Sequence, residues 1–149
     1  MVPGGFGTRA LLTPNPLLDW IREAHATSQW TTSVCTGSLV LAAAGVLRGL
    51  LATTHWAAMD QLAAFGATPT SRRVVEQGKI ITAAGVSSGI DMALHLAARI
   101  AGEDFAQGIQ LGIEYDPEPP FSSGSPHKAP AHVLAQVRDR MKSRMEAAR

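Results

Sequence analysis

Trp30-Thr31-Thr32-Ser33-Val34-Cys35-Thr36-Gly37-Ser38 is the stretch of sequence that decides the fold. Its first half is short and rich in β-branched residues, which predicts a strand. The residues that follow, 39–44, are all apolar and end at Gly45, which predicts a buried helix with a glycine after its last turn. The sequence therefore predicts a strand that runs directly into a helix, with Cys35 at the turn.

Small residues stand two positions before and after this cysteine, at Ser33 and Gly37. The spacing is typical of a nucleophile elbow, in which small neighbours allow a strained turn to hold a reactive side chain above the sheet. A thiol at a helix N-terminus is favoured as thiolate, and the N–H of Thr36 is free to donate to an anion that develops on a substrate. The alternative is that Cys35 is a small buried hydrophobic residue, as free cysteines often are.

Strands alternate with helices along most of the chain, which predicts an α/β fold with a largely parallel sheet. Helices are predicted over 16–27, 55–65, 88–101 and 131–147, and strands over 50–54 and, as a pair that turns at Gln77-Gly78, over 73–82. Asp91 is expected to cap the helix that begins at Ser88. Residues 107–115 fit either a helix end or a strand, and the proline-rich segment 116–130 is expected to be irregular.

The composition favours one domain over residues 1–149. Of the 149 residues, 46% are hydrophobic and 17% charged, and the net charge is +1, which excludes a disordered chain and does not favour a nucleic-acid-binding domain. The single cysteine excludes an intramolecular disulfide. No apolar run is long enough to cross a membrane and the N-terminus has no signal-peptide pattern, so the expected compartment is the cytoplasm.

Several motifs, taken together, identify a resemblance to a known family. Pro3-Gly4-Gly5-Phe6-Gly7, Val34-Cys35-Thr36-Gly37-Ser38 and Ala52-Thr53-Thr54-His55-Trp56 resemble the DJ-1/PfpI superfamily. The stretches 85–91, 109–117 and 119–121 are similar to the isonitrile hydratases of that superfamily. The motifs occur in the same order and cover essentially the whole chain.

The resemblance implies a flavodoxin-like three-layer sandwich, usually homodimeric, with Cys35 as the nucleophile. It implies a reaction that converts an isonitrile and water to an N-substituted formamide, without a metal or an organic cofactor. By the same resemblance, the backbone N–H groups of Gly5 and Thr36 stabilise charge, while Gly4, His55 and Ser87 line or support the pocket. For His55 the alternative is a residue at a helix start that only satisfies local hydrogen bonds.

The resemblance does not settle whether this chain is catalytically active. Members of the family carry a catalytic carboxylate on a segment that precedes the Pro-Gly-Gly loop, and this sequence lacks that segment, on the order of two βα units. The first hypothesis is therefore a cysteine-dependent isonitrile hydratase with a small-molecule substrate. The alternative is a non-catalytic ligand-binding or sensing module. A glyoxalase- or chaperone-like relative is less favoured because of the hydratase-type motifs, and a protease-like relative because Thr36 stands where those members have histidine. No metal site, nucleic-acid partner or membrane partner is predicted.

Overall fold

The computed structural model describes residues 1–147. These residues form six α-helices and five β-strands. The helices are α1 (Pro16–Thr27), α2 (Gly37–Ala43), α3 (Met59–Ala64), α4 (Ser88–Ala101), α5 (Glu103–Gly112) and α6 (Ala131–Ala147). The strands are β1 (Thr31–Val34), β2 (Leu51–Ala52), β3 (Thr68–Pro69), β4 (Val74–Gln77) and β5 (Ile80–Ala83), and two 3-10 helices cover Phe6–Leu11 and Trp56–Ala58.

The main sheet has the strand order β1-β5-β4. β1 and β5 are parallel, with Thr31 opposite Ile80, whereas β4 and β5 form an antiparallel hairpin that turns at Gly78, where φ is +60°. Val2 makes a parallel bridge to Ser33 on the other edge of β1. Because of this bridge, the glycine-rich loop after Val2 lies at the end of β1, next to Cys35.

Helices cover both faces of the sheet. β5 is buried along its whole length, and its neighbouring residues Ile80 and Ile81 belong to two different apolar clusters because successive strand side chains point to opposite faces. Ile80 lies in the larger cluster, to which both α1 and α2 contribute. Leu39 and Leu41 are among the α2 residues in this cluster. Ile81 lies in the smaller cluster with Met92 of α4. The result is three layers, helix, sheet and helix.

The local predictions agree with most of this architecture. The α/β fold is confirmed, and α1 begins as expected, with the Asn15 side chain accepting a hydrogen bond from the Leu17 N–H at 3.0 Å. The ambiguous segment 107–115 is helical as far as Gly112, in α5. The strand predicted over 50–54 is limited to Leu51–Ala52, because the Thr53 N–H donates to the side-chain hydroxyl of Thr82 in β5, at 3.0 Å, instead of to a backbone carbonyl.

The described residues also bear on the membrane expectation. Within residues 1–147, no helix combines the length and apolar character needed to cross a membrane.

Candidate active site

Cys35 stands at a strained turn between β1 and α2. Its φ is +57°, a left-handed conformation that residues other than glycine seldom adopt and that often marks functional sites. Its backbone is held on both sides: the Cys35 N–H donates to the Ala83 carbonyl at 3.0 Å, and its carbonyl accepts from the hydroxyls of Ser38 at 3.1 Å and Thr54 at 3.0 Å. The half-buried thiol therefore projects from a turn that its neighbours fix, as a nucleophile elbow requires.

Two glycines allow the loop 3–5 to pass across this turn. A Cβ atom on Gly37 would lie 2.1 Å from the Val2 carbonyl oxygen, so any larger residue would push this loop away from the elbow. A Cβ atom on Gly4 would lie 2.7 Å from the Cβ of Cys35. The small residue predicted at position 37 is thus explained by the close approach of the Val2–Pro3 backbone, and Gly4 lies against Cys35.

A network of hydroxyl groups joins the loop to the elbow. The Gly5 N–H donates to Thr36 Oγ1 at 3.0 Å, and Thr8 Oγ1 lies 2.8 Å from the Gly5 carbonyl and 3.0 Å from Thr36 Oγ1. Thr8 and Thr36 are both buried. Gly5 therefore lies at the site, with its N–H directed to the Thr36 hydroxyl. Among the described residues, no hydrogen-bond acceptor pairs with the Thr36 N–H.

His55 makes a local hydrogen bond at a helix start and also lines the cavity of Cys35. It precedes the 3-10 helix Trp56–Ala58, and its Nδ1 accepts a hydrogen bond from the Ala57 N–H at 3.3 Å, so the neutral ring carries its proton on Nε2. The ring also lines the same cavity as Cys35. Burial, followed by the positive charge of Arg9, lowers the pKa of His55 below its ordinary value, which favours the neutral imidazole.

Cys35 opens onto a cavity of about 400 Å³. The sequence-predicted site residues in its lining are Gly4, Gly5, Cys35, Thr36 and His55. The rest of its wall is apolar except for one arginine, and comprises Pro3, Phe6, Arg9, Val34, Ala57, Ala58, Val86, Met141 and Met145. A mostly apolar cavity with a few polar groups is typical of a small-molecule site.

Arg9, Met141 and Met145 are among the residues of this cavity that were not predicted as site residues from the sequence. Met141 and Met145 come from α6, more than one hundred residues after Cys35. The sequence predicts a helix over 131–147, but its pattern does not show what the helix contacts. Arg9 follows the glycine-rich loop by a few residues, and this proximity in sequence was the one available signal for it.

Ser87 lies in a neighbouring cavity rather than with Cys35. This second cavity, of about 240 Å³, is lined by Ser87, Arg73 and His127 among others, and His55 contributes to both cavities. Arg73 donates from Nη2 to the Ser87 hydroxyl at 3.4 Å. Ser87 is thus held by Arg73 before α4 and does not line the cavity of Cys35.

Asp91 does not cap α4, contrary to the sequence prediction. Its Oδ2 accepts from Arg73 Nε at 2.5 Å and its Oδ1 from the Tyr115 hydroxyl at 2.6 Å. These hydrogen bonds outweigh the opposing effect of burial and hold the pKa of Asp91 below its ordinary value. The sequence prediction was wrong because the guanidinium of Arg73, the residue before β4, competes with the backbone N–H groups at the start of α4 for the Asp91 carboxylate.

The described residues contain no metal-binding cluster: within 1–147, no group of three His, Cys, Asp or Glu side chains is placed to hold a metal ion.

Residues 1–99 match the DJ-1/PfpI family. Among curated relatives, the chain is 51% identical over 139 residues to the isonitrile hydratase of Pseudomonas putida, which is 93% of this chain and 61% of that protein. It is 35% identical over 118 residues to the HTH-type transcriptional regulator CdhR of Pseudomonas aeruginosa, which is 76% of this chain and 32% of the regulator.

Among solved structures, the chain is similar to a ThiJ/PfpI family protein from Pseudomonas syringae, with a TM-score of 0.88 and 42% identity over 94% of this chain and 58% of that one. It also resembles DJ-1beta of Drosophila melanogaster, with a TM-score of 0.66 and 26% identity over 74% of this chain and 60% of that one. The flavodoxin-like α/β fold is thereby confirmed.

The chain spans about three fifths of the length of the Pseudomonas putida hydratase. The motifs around Gly5, Cys35 and His55, which suggested the family from the sequence, lie within the matched residues, and the structure brings them to one cavity. The chain belongs to the DJ-1/PfpI family.

Proposed function

We propose that this chain carries the nucleophile of an isonitrile hydratase, which adds water to an isonitrile to give an N-substituted formamide. The observation that carries the proposal is the 51% identity to the Pseudomonas putida isonitrile hydratase over 93% of this chain. The position of Cys35 at a strained elbow that faces an apolar cavity supports it independently.

In the proposed reaction the Cys35 thiolate forms a bond from sulfur to the terminal carbon of the isonitrile. That carbon takes up a proton, which gives a thioimidate with the nitrogen double-bonded to carbon. Water then adds its oxygen to the same carbon and one proton to the nitrogen. The carbon–sulfur bond breaks, its electron pair returns to sulfur, and the remaining hydroxyl proton is released as the carbonyl forms, which replaces the proton taken up in the first step. One isonitrile and one water become one formamide, and the thiolate is regenerated.

The surroundings of Cys35 supply two groups for these steps. The Thr36 N–H, at the start of α2, is placed to stabilise negative charge on the reacting atoms; loss of such a donor typically costs about 10²–10³ in rate. The Nε2–H of neutral His55 is a candidate proton donor in the same cavity. The apolar wall suits the apolar part of an N-substituent.

A second candidate function is a ligand-binding or sensing module without turnover. Two observations favour it: the similarity to the transcriptional regulator of Pseudomonas aeruginosa, and the absence of a carboxylate among the described residues that line the Cys35 cavity. Such a module would keep the cavity and bind a small molecule without releasing product.

The two candidates are separated by following an aliphatic isonitrile with the chain in water enriched in ¹⁸O. A hydratase yields formamide that carries ¹⁸O at a rate proportional to protein concentration. Saturable binding of the isonitrile without formamide would support the sensing module and contradict the hydratase.

The resemblance also leads us to propose a cytoplasmic homodimer that acts on a small molecule, with no nucleic-acid or membrane partner. Light scattering of the purified chain tests the dimer: a mass of twice 15.7 kDa is expected, and a monomer at all concentrations would contradict it.

A further inference from the structure

Arg9 brings a positive charge into the cavity that Cys35 faces. It lies on the 3-10 helix Phe6–Leu11, directly after the glycine-rich loop, and it lines the cavity together with Cys35 and His55. Its side chain is half-buried, and its Nε is fully buried without a hydrogen-bond partner among the described residues. The guanidinium of Arg9 therefore carries a donor that none of the described residues satisfies.

The charge of Arg9 is not neutralised by the neighbouring side chains. Among residues 1–147, the cavity lining includes no Asp or Glu, and none of the ion pairs includes Arg9. The Arg9 guanidinium carbon lies 5.9 Å from the centre of the Phe6 ring, a contact that orients the group without compensating its charge. Arg9 also acts on His55, whose pKa it lowers in addition to the effect of burial.

Two anions could complement this charge, the Cys35 thiolate and an anionic group on the substrate. The Cys35 thiolate presents a single acceptor atom, its sulfur. A guanidinium, in contrast, presents a planar fork of N–H donors that matches the two oxygens of a carboxylate. The apolar wall of the cavity, which includes Met141 and Met145, fits the carbon chain that would separate the carboxylate from the reacting carbon.

We propose that Arg9 is a specificity-determining residue that binds a carboxylate, so that the preferred substrates are isonitriles whose short N-substituent ends in a carboxylate. This assignment of substrate class rests on the hydratase function proposed above. The anion-binding part of it is tested without that reaction.

The test compares the alkylation of Cys35 by iodoacetate and by iodoacetamide, which differ in charge but react alike. In both, the thiolate forms a bond to the methylene carbon, the carbon–iodine bond breaks and iodide leaves. A carboxylate site at Arg9 favours iodoacetate, so Arg9→Gln is expected to lower the ratio of the two rates about two- to fivefold, the range of a partly exposed charge pair. Arg9→Lys keeps the charge and retains part of the preference.

Arg48→Gln is the matched control, because it removes the same charge from an exposed position beyond the far end of α2 and leaves the ratio unchanged. If Arg9→Gln slowed both reagents equally, Arg9 would act on the thiolate, and the proposal would be wrong. The proposal would also be wrong if Arg9→Gln changed neither alkylation rate.

Turnover tests the substrate class in a second step. An isonitrile carboxylate is expected to have a lower KM than its methyl ester in the unaltered chain, and Arg9→Gln should raise the KM of the carboxylate alone. Equal effects on both compounds would contradict the proposal. If neither compound reacts but the alkylation ratio still depends on Arg9, the anion site stands and the hydratase function fails.

Discussion

Gly4 lies so close to Cys35 that a Cβ atom on Gly4 would stand 2.7 Å from the Cβ of Cys35 and 2.7 Å from the backbone nitrogen of Thr36. Real Cβ atoms do not approach neighbours so closely, and the nearest atoms belong to the backbone or to a Cβ that cannot rotate away. The glycine-rich loop is therefore fitted to the elbow, and the shape of the site depends on the absence of a side chain at position 4.

Gly4→Ala is expected to displace this loop from Cys35. The overpacking should lower the free energy of unfolding by about 1–3 kcal/mol and reduce isonitrile turnover, as measured by urea denaturation and product formation. Gly7→Ala, on the 3-10 helix directly after this loop, is the matched control, because a Cβ atom there meets nothing within 4 Å and its φ is not positive. Equal losses in the two variants would show that the close approach to Cys35 is unimportant.

Thr36→Val removes the hydroxyl that accepts from the Gly5 N–H and contacts Thr8. The replacement has nearly the same volume, but it leaves a donor without its acceptor, so the free energy of unfolding should fall by about 1–3 kcal/mol. Thr36→Ser keeps the hydroxyl and should recover most of the loss. Chemical denaturation checks the pair, and the account of the network is contradicted if the serine and valine variants have the same stability.

The lowered pKa of His55 predicts that the free energy of unfolding depends on pH. Its pKa in the folded state lies below the ordinary value of 6.5, so the unfolded chain takes up a proton at a higher pH than the folded chain does. The contribution of neutral His55 to the free energy of unfolding is complete above pH 6.5. It is lost as the pH falls from 6.5 through the lowered pKa of His55. Protonation of Nδ1 also removes the hydrogen bond from the Ala57 N–H.

His55→Gln should therefore flatten the decline of stability between about pH 7 and pH 5, measured by urea denaturation at each pH. His127→Gln, at an exposed position, is the control and should leave the slope as it is. Some slope remains in either variant, because burial and then Lys79 also lower the pKa of His25. A slope unchanged by His55→Gln would contradict the assignment of neutral His55 to the cavity.

Asp91→Asn tests the contact between the hairpin and α4. The lost hydrogen bonds with Arg73 and Tyr115 should cost about 1 kcal/mol or less at neutral pH, since the Arg73 side chain is 54% exposed and solvent screens the pair. The lowered pKa of Asp91 means that this contribution disappears as the pH falls through that pKa. Asp19→Asn, which breaks the more exposed pair with Arg22, is the control and should cost less.

The sequence predicted the elements of this fold better than their contacts, for physical reasons. The strand, the turn at Cys35 and helix α2 follow from neighbouring residues, because β-branched, apolar and small residues act on the backbone close to them. The approach of Val2 to Ser33, which explains Gly37, depends on pairing across the sheet. Met141 and Met145 enter the cavity through packing between distant segments, which no local pattern encodes.

Cys35→Ser tests the central claim most directly, because serine preserves the size and backbone of the turn and removes only the thiolate. Formamide production from an aliphatic isonitrile is measured by NMR for the unaltered chain and for the variant at equal concentration. The account predicts a steady rate for the unaltered chain and a rate at the level of the uncatalysed reaction for Cys35→Ser. Formamide formation by Cys35→Ser at the unaltered rate would contradict the claim that Cys35 is the nucleophile.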